Sequence, residues 1–98
     1  MSIEKLFQED RRLVILRILA EAPGYEANES ILHAALDNVG HAISRDVVRA
    51  EMAWLGEIGL LKIEDIGGIR LARITSRGSD VAAGRAQCPG VKRPAPRE

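Results

Sequence analysis

The spacing of apolar residues changes once along the 98-residue sequence, at Gly59, and this change limits the folds open to the chain. Before Gly59, three segments carry apolar residues at helical spacing. After it, "LLKIEDI" and "IRLARIT" are short β-prone runs separated by Gly67 and Gly68, which can supply the positive φ angles of a tight hairpin turn. Three helices followed by an antiparallel hairpin predict an α+β fold.

The first helical segment runs from Ile3 to Ala22 without glycine or proline and is stopped by Pro23 and Gly24. Its stretch "RRLVILRILAEA" is apolar on nearly every side, so the helix needs neighbours on more than one side. A second copy of the chain is one such neighbour. We therefore expect a homodimer through the N-terminal helix.

Two further helices are indicated by capping residues. Asn28 is a good N-cap for a second helix, whose apolar residues recur from Ile31 to Val39 before Gly40 ends it. After a short connection, Ser44 is a good N-cap for a third helix. The tight connection between these helices predicts that they are packed neighbours.

The third helix, residues 44–58, has one apolar face and one polar face. The apolar arc is formed by the side chains of Val47, Val48, Met52, Trp54, Leu55 and Ile58. The opposite arc places Arg45 and Arg49 side by side, with the small Ala53 behind them. Because two like charges at this spacing repel slightly, an anion would stabilise the pair, and the helix dipole favours anions at the same end. This face is a candidate for the DNA major groove; the alternative is two solvated arginines paired with local carboxylates.

The order of elements resembles a winged helix-turn-helix, with a three-helix core, a two-stranded hairpin wing and a short C-terminal helix capped by Thr75 or Ser76. Met52, Leu55, Gly59 and Leu60 resemble the "L..L...GL" run of the ArsR and MarR regulators, and the segment 74–78, "ITSRG", resembles their "LTxxG". The whole chain resembles small winged-helix proteins of Mu-like bacteriophages, through "RRLVILRILAEAPGYEANESIL", "SRDVVRAEMAWL", "DVAAGRA" and "PGVKRP". The resemblance implies a phage or prophage transcriptional regulator that contacts double-stranded DNA with residues 44–58.

By analogy with those regulators, the groove-facing residues would lie on the third helix, with further contacts from the wing and the helix after it. The expected DNA-binding residues are Ser44, Arg45, Arg49, Ala53, Lys62, Arg70, Arg73 and Arg77. The wing departs from the pattern, because Glu64 and Asp65 enter the turn and would repel phosphate. With a net charge of zero, this acidic wing favours an alternative function, a protein-protein interaction module in phage gene control or assembly with a phage or host partner.

Glu51 falls inside the apolar arc of the third helix, where a carboxylate needs a partner. Arg17 is similarly embedded in the apolar first helix. We predict an ion pair between them that joins the two helices.

The chain divides into a winged-helix domain over residues 1–85 and a tail over residues 86–98. The tail contains three prolines and no apolar periodicity, so we expect it to be flexible. Residues 66–97 carry seven basic side chains against Asp80 alone, which agrees with a polyanionic partner; the alternative is a solvated basic tail.

Enzymatic chemistry is not expected, because the sequence shows no nucleophile with its base, paired carboxylates or phosphate-binding loop. His33 and His41 lack neighbouring ligands at metal-binding spacing, so we expect no metal and no cofactor. The single Cys88 favours a reduced, cytoplasmic protein. The longest apolar run, "LVILRILA", is too short for a membrane span.

Overall fold

The structure, a computed structural model, describes residues 2–96 and is an α+β fold. A short 3-10 turn, Pro23–Tyr25, follows the first helix. The helices are α1 (Ile3–Glu21), α2 (Glu29–Asn38), α3 (Arg45–Glu57) and α4 (Ser76–Ala82), and the strands are β1 (Glu26–Asn28), β2 (Leu61–Ile66) and β3 (Ile69–Ile74). The prediction of helices followed by a hairpin is confirmed, and the order of elements is compatible with a winged-helix-like fold.

Each helix begins at a side-chain cap, because its first backbone N–H groups have no partner within the helix. The predicted caps are confirmed: Asn28 accepts from the backbone of Ile31 at 2.9 Å, and Ser44 accepts from that of Val47 at 3.2 Å. Thr75 caps α4 in the same way. Residues 3–10, "IEKLFQED", belong to the single continuous helix α1.

The sheet has three antiparallel strands in the order β1-β3-β2, whereas the sequence predicted two. The hairpin is confirmed, with Ile66 paired to Ile69 across the glycine turn. The third strand, β1, pairs along β3 from Glu26, opposite Arg73, to Asn28, opposite Leu71. It is only three residues long, too short to show an alternating pattern, and it was therefore missed.

The core lies between the helices and one face of the sheet. It includes Leu13, Ile15, Leu16, Leu19, Leu32, Leu36, Val48, Met52, Leu55, Ala72 and Ile74. On α3, the predicted core residues Val48, Met52 and Leu55 are fully buried, while Trp54 and Ile58 are half-buried. The polar arc of α3 therefore faces away from the core.

The segment 86–92, predicted to be flexible, is packed against the domain. Cys88 and Val91 are buried, and the backbone N–H of Lys92 donates to the carbonyl of Glu9 at 3.1 Å. Isolated contacts made by single residues leave no periodic signal in the sequence, so this packing was not predicted. The predicted tail residues 97 and 98 lie outside the described part of the chain.

Candidate nucleic-acid interface

The candidate interface is built on the first two turns of α3. Arg45 and Arg49 lie one helical turn apart, with side chains 47% and 36% exposed to solvent. Ser44 caps the helix beside them, and Ala53 is half-buried one turn further on. Neither guanidinium group is enclosed by the protein, so both remain accessible to a ligand.

Both arginines are held by Glu29, the first residue of α2, which the sequence analysis did not identify. One carboxylate oxygen, Oε1, accepts from Arg45 Nη1 at 3.0 Å and from Arg49 Nε at 2.9 Å. The other, Oε2, accepts from the backbone N–H of Arg70 at 2.9 Å. Glu29 is only 2% exposed, so this buried carboxylate joins α2, α3 and β3.

These contacts lower the pKa of Glu29 to about 2. The hydrogen bond from Arg49 is the largest cause, followed by the bond from the backbone of Arg70, and together with Arg45 they outweigh the opposing effect of burial. Glu29 is therefore ionised at neutral pH. The same hydrogen bond raises the pKa of Arg49.

Arg49 also connects α3 to the hairpin turn. Its Nη2 donates to the carbonyl of Gly68 at 2.9 Å, while the carboxylate of Asp65 accepts from the backbone N–H of Gly68 at 2.9 Å. The turn is thereby fixed beside the start of α3.

The predicted site residues divide between the two faces of the sheet. Arg70 lies on the same face of β3 as the buried Ala72, and its backbone N–H contacts Glu29, the partner of Arg45 and Arg49. Lys62 and Arg73 are directly paired on the opposite face. Arg70 and Arg73 therefore point to different faces of the sheet.

The remaining basic residues make contacts of their own. Arg73 forms an exposed ion pair with Glu26 at 3.0 Å, and Arg77 on α4 donates to the carbonyl of Ile58 at 2.9 Å. Lys62 is exposed on β2. The structure thus brings the side chains of Arg45 and Arg49 and the backbone of Arg70 together at Glu29, but not the other three basic residues.

Carboxylates close to Arg49 offset part of the positive charge at the junction. Besides Glu29, the carboxylates of Asp65 and Asp46 lie close enough to Arg49 to raise its pKa. These carboxylates offset the guanidinium charges of Arg45 and Arg49, which reduces the long-range attraction of this surface for a polyanion.

The predicted ion pair of Glu51 with Arg17 is wrong, although it joins the correct helices. Glu51 is 3% exposed and accepts hydrogen bonds from Arg11 Nε and, at 2.9 Å, from Arg12 Nε. Arg17 is exposed. It lies about 9 Å further along the helix axis than Arg11, at 1.5 Å per residue, and this places it beyond the level of Glu51.

Two features of other protein classes are absent from residues 2–96. None of the described helices is long and apolar enough to cross a bilayer. In the same range, no three histidine, cysteine, aspartate or glutamate side chains form a group that could hold a metal ion.

Comparisons with known proteins point to a phage origin. No protein-family model matches the chain, and no solved structure does either. The "Uncharacterized protein gp26" of Escherichia phage Mu is 54% identical over 95 residues, which cover 97% of this chain and 98% of that protein. An uncharacterized protein of Haemophilus influenzae is 54% identical over 78 residues, 79% of this chain and 76% of that protein.

The chain is thus a small α+β protein that is related to a phage protein. It belongs to the family of the phage Mu protein gp26. The relation to proteins of Mu-like phages, expected from the sequence, is confirmed.

Proposed function

We propose that this protein is a winged-helix regulator of a phage or prophage that binds double-stranded DNA with the N-terminal half of α3. One observation carries the proposal: two half-exposed guanidinium groups, Arg45 and Arg49, are held side by side on the first two turns of a capped helix. Backbone N–H groups and the helix dipole favour anions at this end.

The shape of α3 supports contact with a groove. The major groove of B-DNA admits an α-helix, and small side chains let the helix approach closely. Beside the arginines, the outward face of α3 carries the exposed Ala50 and the half-buried Ala53. In this proposal Arg45 and Arg49 contact phosphates or base edges, and Ser44 lies next to the sugar-phosphate backbone of the DNA.

The hairpin has a different role in this proposal. Its tip carries Glu64 and Asp65, which repel phosphate, together with the exposed Ile66 and Ile69. A wing that binds DNA commonly presents basic residues at its tip, so the tip of this hairpin is not a phosphate contact in this proposal. Its contribution is the carbonyl of Gly68, which orients Arg49.

The test is fluorescence anisotropy with random duplex DNA at about 50 mM and about 200 mM salt, because phosphate contacts make affinity strongly salt-dependent. The variant combines Glu29→Gln, Arg45→Gln and Arg49→Gln, so that no buried charge is left unpaired. We expect a loss of affinity of at least about tenfold and a salt slope shallower by about one to two.

The matched control combines Glu26→Gln, Arg73→Gln and Arg85→Gln. These residues lie in exposed ion pairs away from the start of α3, and the control removes the same set of charges. Equal weakening in both triple variants would reject α3 as the interface. Absence of binding by the native protein at the lower salt concentration would reject DNA binding altogether.

The hairpin tip supports a second candidate function, the binding of a phage or host protein. Ile66 and Ile69 are 58% and 50% exposed, and they lie next to Glu64 and Asp65. An exposed apolar pair flanked by carboxylates fits a protein partner better than a nucleic acid. A photo-crosslinking residue at Ile66, compared with one at Ile31, tests whether a phage or host protein binds the tip during phage growth.

A homodimer through α1 is part of the proposal. Ile3, Leu6 and Phe7 form one stripe on the first two turns and are 68%, 50% and 50% exposed. Glu4 and Lys5 border the stripe, so two copies can meet without net repulsion. The mass in solution tests this: Leu6→Ser should shift a dimer towards monomer, whereas Ile31→Ser, at a similarly exposed site, should not.

A further inference from the structure

We infer that Glu29 is a positioning residue of the proposed DNA-binding surface, which fixes the two guanidinium groups of α3 and cancels one of their charges. The inference rests on the proposed function. Its consequence is that Glu29 holds down the affinity of the protein for DNA of arbitrary sequence.

The contacts of Glu29 leave part of each arginine free for a ligand. A guanidinium group carries five N–H donors in a rigid plane. Arg45 uses one of them on Glu29, and Arg49 uses its Nε on Glu29 and one Nη2 donor on Gly68. The other edges of both groups remain available, with their planes already oriented.

The burial of Glu29 makes this arrangement durable. The carboxylate is 2% exposed and also accepts from the backbone of Arg70, so it cannot turn away without leaving that N–H unpaired. Ordering of the two long side chains has therefore taken place before DNA arrives, which favours any ligand that matches their geometry.

The positioning of the arginines by Glu29 favours a matching ligand, but the negative charge of Glu29 weakens binding to DNA of arbitrary sequence. Affinity for random duplex depends chiefly on the number of phosphate charges neutralised. Taken by themselves, Arg45, Arg49 and Glu29 carry one net positive charge, where the two arginines alone would carry two. Removal of this carboxylate should therefore strengthen binding to random duplex.

The experiment compares Glu29→Gln with Glu26→Gln, which removes the same charge from an exposed ion pair with Arg73. For Glu29→Gln we expect about three- to tenfold tighter binding of random duplex at low salt and a salt slope steeper by about one. For Glu26→Gln we expect less than about a twofold change, because its arginine lies outside the interface. Equal effects of the two substitutions, or weaker binding by Glu29→Gln, would overturn the inference.

A measurement on the native protein covers the case in which Glu29→Gln does not fold. The side-chain Nε–H of Arg49 should give a slowly exchanging signal in NMR spectra, because it is bonded to a buried carboxylate. The signal should stay protected at saturating random duplex. Rapid exchange in free protein, or loss of protection on binding, would show that Glu29 does not hold the guanidinium.

The outcomes separate the inference from the proposed function. If the native protein binds duplex and Glu29→Gln binds no more tightly, only the inference fails. If neither binds at low salt, both fail. If only Glu29→Gln binds, Glu29 masks the surface, and the inference is supported.

Discussion

The guanidinium carbon of Arg12 lies 3.8 Å from the centre of the Trp54 ring, a cation–π contact between α1 and α3. The same guanidinium donates through Nη1 to the carbonyl of Gly90 at 3.1 Å and through Nε to Glu51 at 2.9 Å. Arg12 thereby fixes the segment 86–92 to the helical core. Because Trp54 is the only tryptophan of the chain, its fluorescence reports on this contact.

Gly90→Ala should destabilise the protein more than Gly40→Ala. Both glycines have left-handed backbone angles, with φ of 93° and 94°, so each substitution costs about 1–2 kcal/mol in backbone strain. A Cβ at Gly90 would also lie 2.8 Å from Trp54 Cη2, whereas nothing lies within 4 Å of one at Gly40. Overpacking should add about 1–3 kcal/mol.

Chemical denaturation followed by tryptophan fluorescence measures both variants. Gly90→Ala should also change the fluorescence emission of the folded state, since the added methyl group displaces either Trp54 or the segment 86–92. Equal losses of stability with unchanged emission would mean that the segment does not pack on the ring.

Glu51→Ala should cost about 3–5 kcal/mol of unfolding free energy, because it leaves Arg11 and Arg12 without their carboxylate in a buried site. Glu57→Ala, at an exposed position of the same helix, should change stability by less than about 0.5 kcal/mol. Denaturant titration of both variants checks the difference. A small loss for Glu51→Ala would indicate that the ion pairs are not formed in solution.

Arg12→Ala and Arg17→Ala test which arginine of α1 pairs with Glu51. Arg12 contacts Glu51, Gly90 and Trp54, so its loss should destabilise by about 2 kcal/mol or more. Exposed Arg17 should be replaceable within about 0.5 kcal/mol. If thermal melts rank these variants in the reverse order, the sequence-based pairing was correct after all.

The parts of the fold that were predictable are those with local signals. Asn28 and Ser44 mark helix starts because capping is decided by a few adjacent residues, and Gly67 and Gly68 mark the hairpin for the same reason. The exposure of Arg45 and Arg49 followed from helical periodicity. These signals need no knowledge of distant residues.

The partners of those arginines had no such signal. Glu29 is 16 and 20 residues from Arg45 and Arg49 in sequence, and an acidic residue in the first turn of a helix ordinarily serves only the helix dipole. It directly follows β1, a strand too short to predict. The contacts of Glu29 with Arg45 and Arg49 could therefore be identified only from the tertiary structure.

Gly78→Ala should be severely destabilising, even though alanine is the better helix former. A Cβ at Gly78 would lie 2.2 Å from the carbonyl oxygen of Leu60 and 2.8 Å from Ile74 Cγ1, so α4 would have to move away from the sheet. We expect a loss of about 3 kcal/mol or failure to fold. Ser76→Ala, at an exposed position of α4, is the control for circular dichroism melts, and equal melting temperatures would contradict this packing.

Stability at low pH should depend on Glu29. Its folded-state pKa of about 2 lies below the ordinary value of 4.5, so its ionised form stabilises the folded protein. This contribution is fully present above about pH 4.5 and is lost as the pH falls towards 2. Asp10 adds to the same trend, because hydrogen bonds from His41 and Lys92 outweigh burial and lower its pKa as well.

Glu29→Gln cannot titrate, so its stability should fall less steeply than that of the native protein across this window. The difference between the two proteins should be constant at neutral pH, where Glu29 is ionised in both the folded and the unfolded chain, and should shrink steadily below about pH 4.5. Urea titrations at a series of pH values measure this difference directly. Parallel curves down to pH 2 would mean that the Glu29 carboxylate has an ordinary pKa in the folded state, and the junction of α2, α3 and β3 would then lack the hydrogen bonds that orient Arg45 and Arg49.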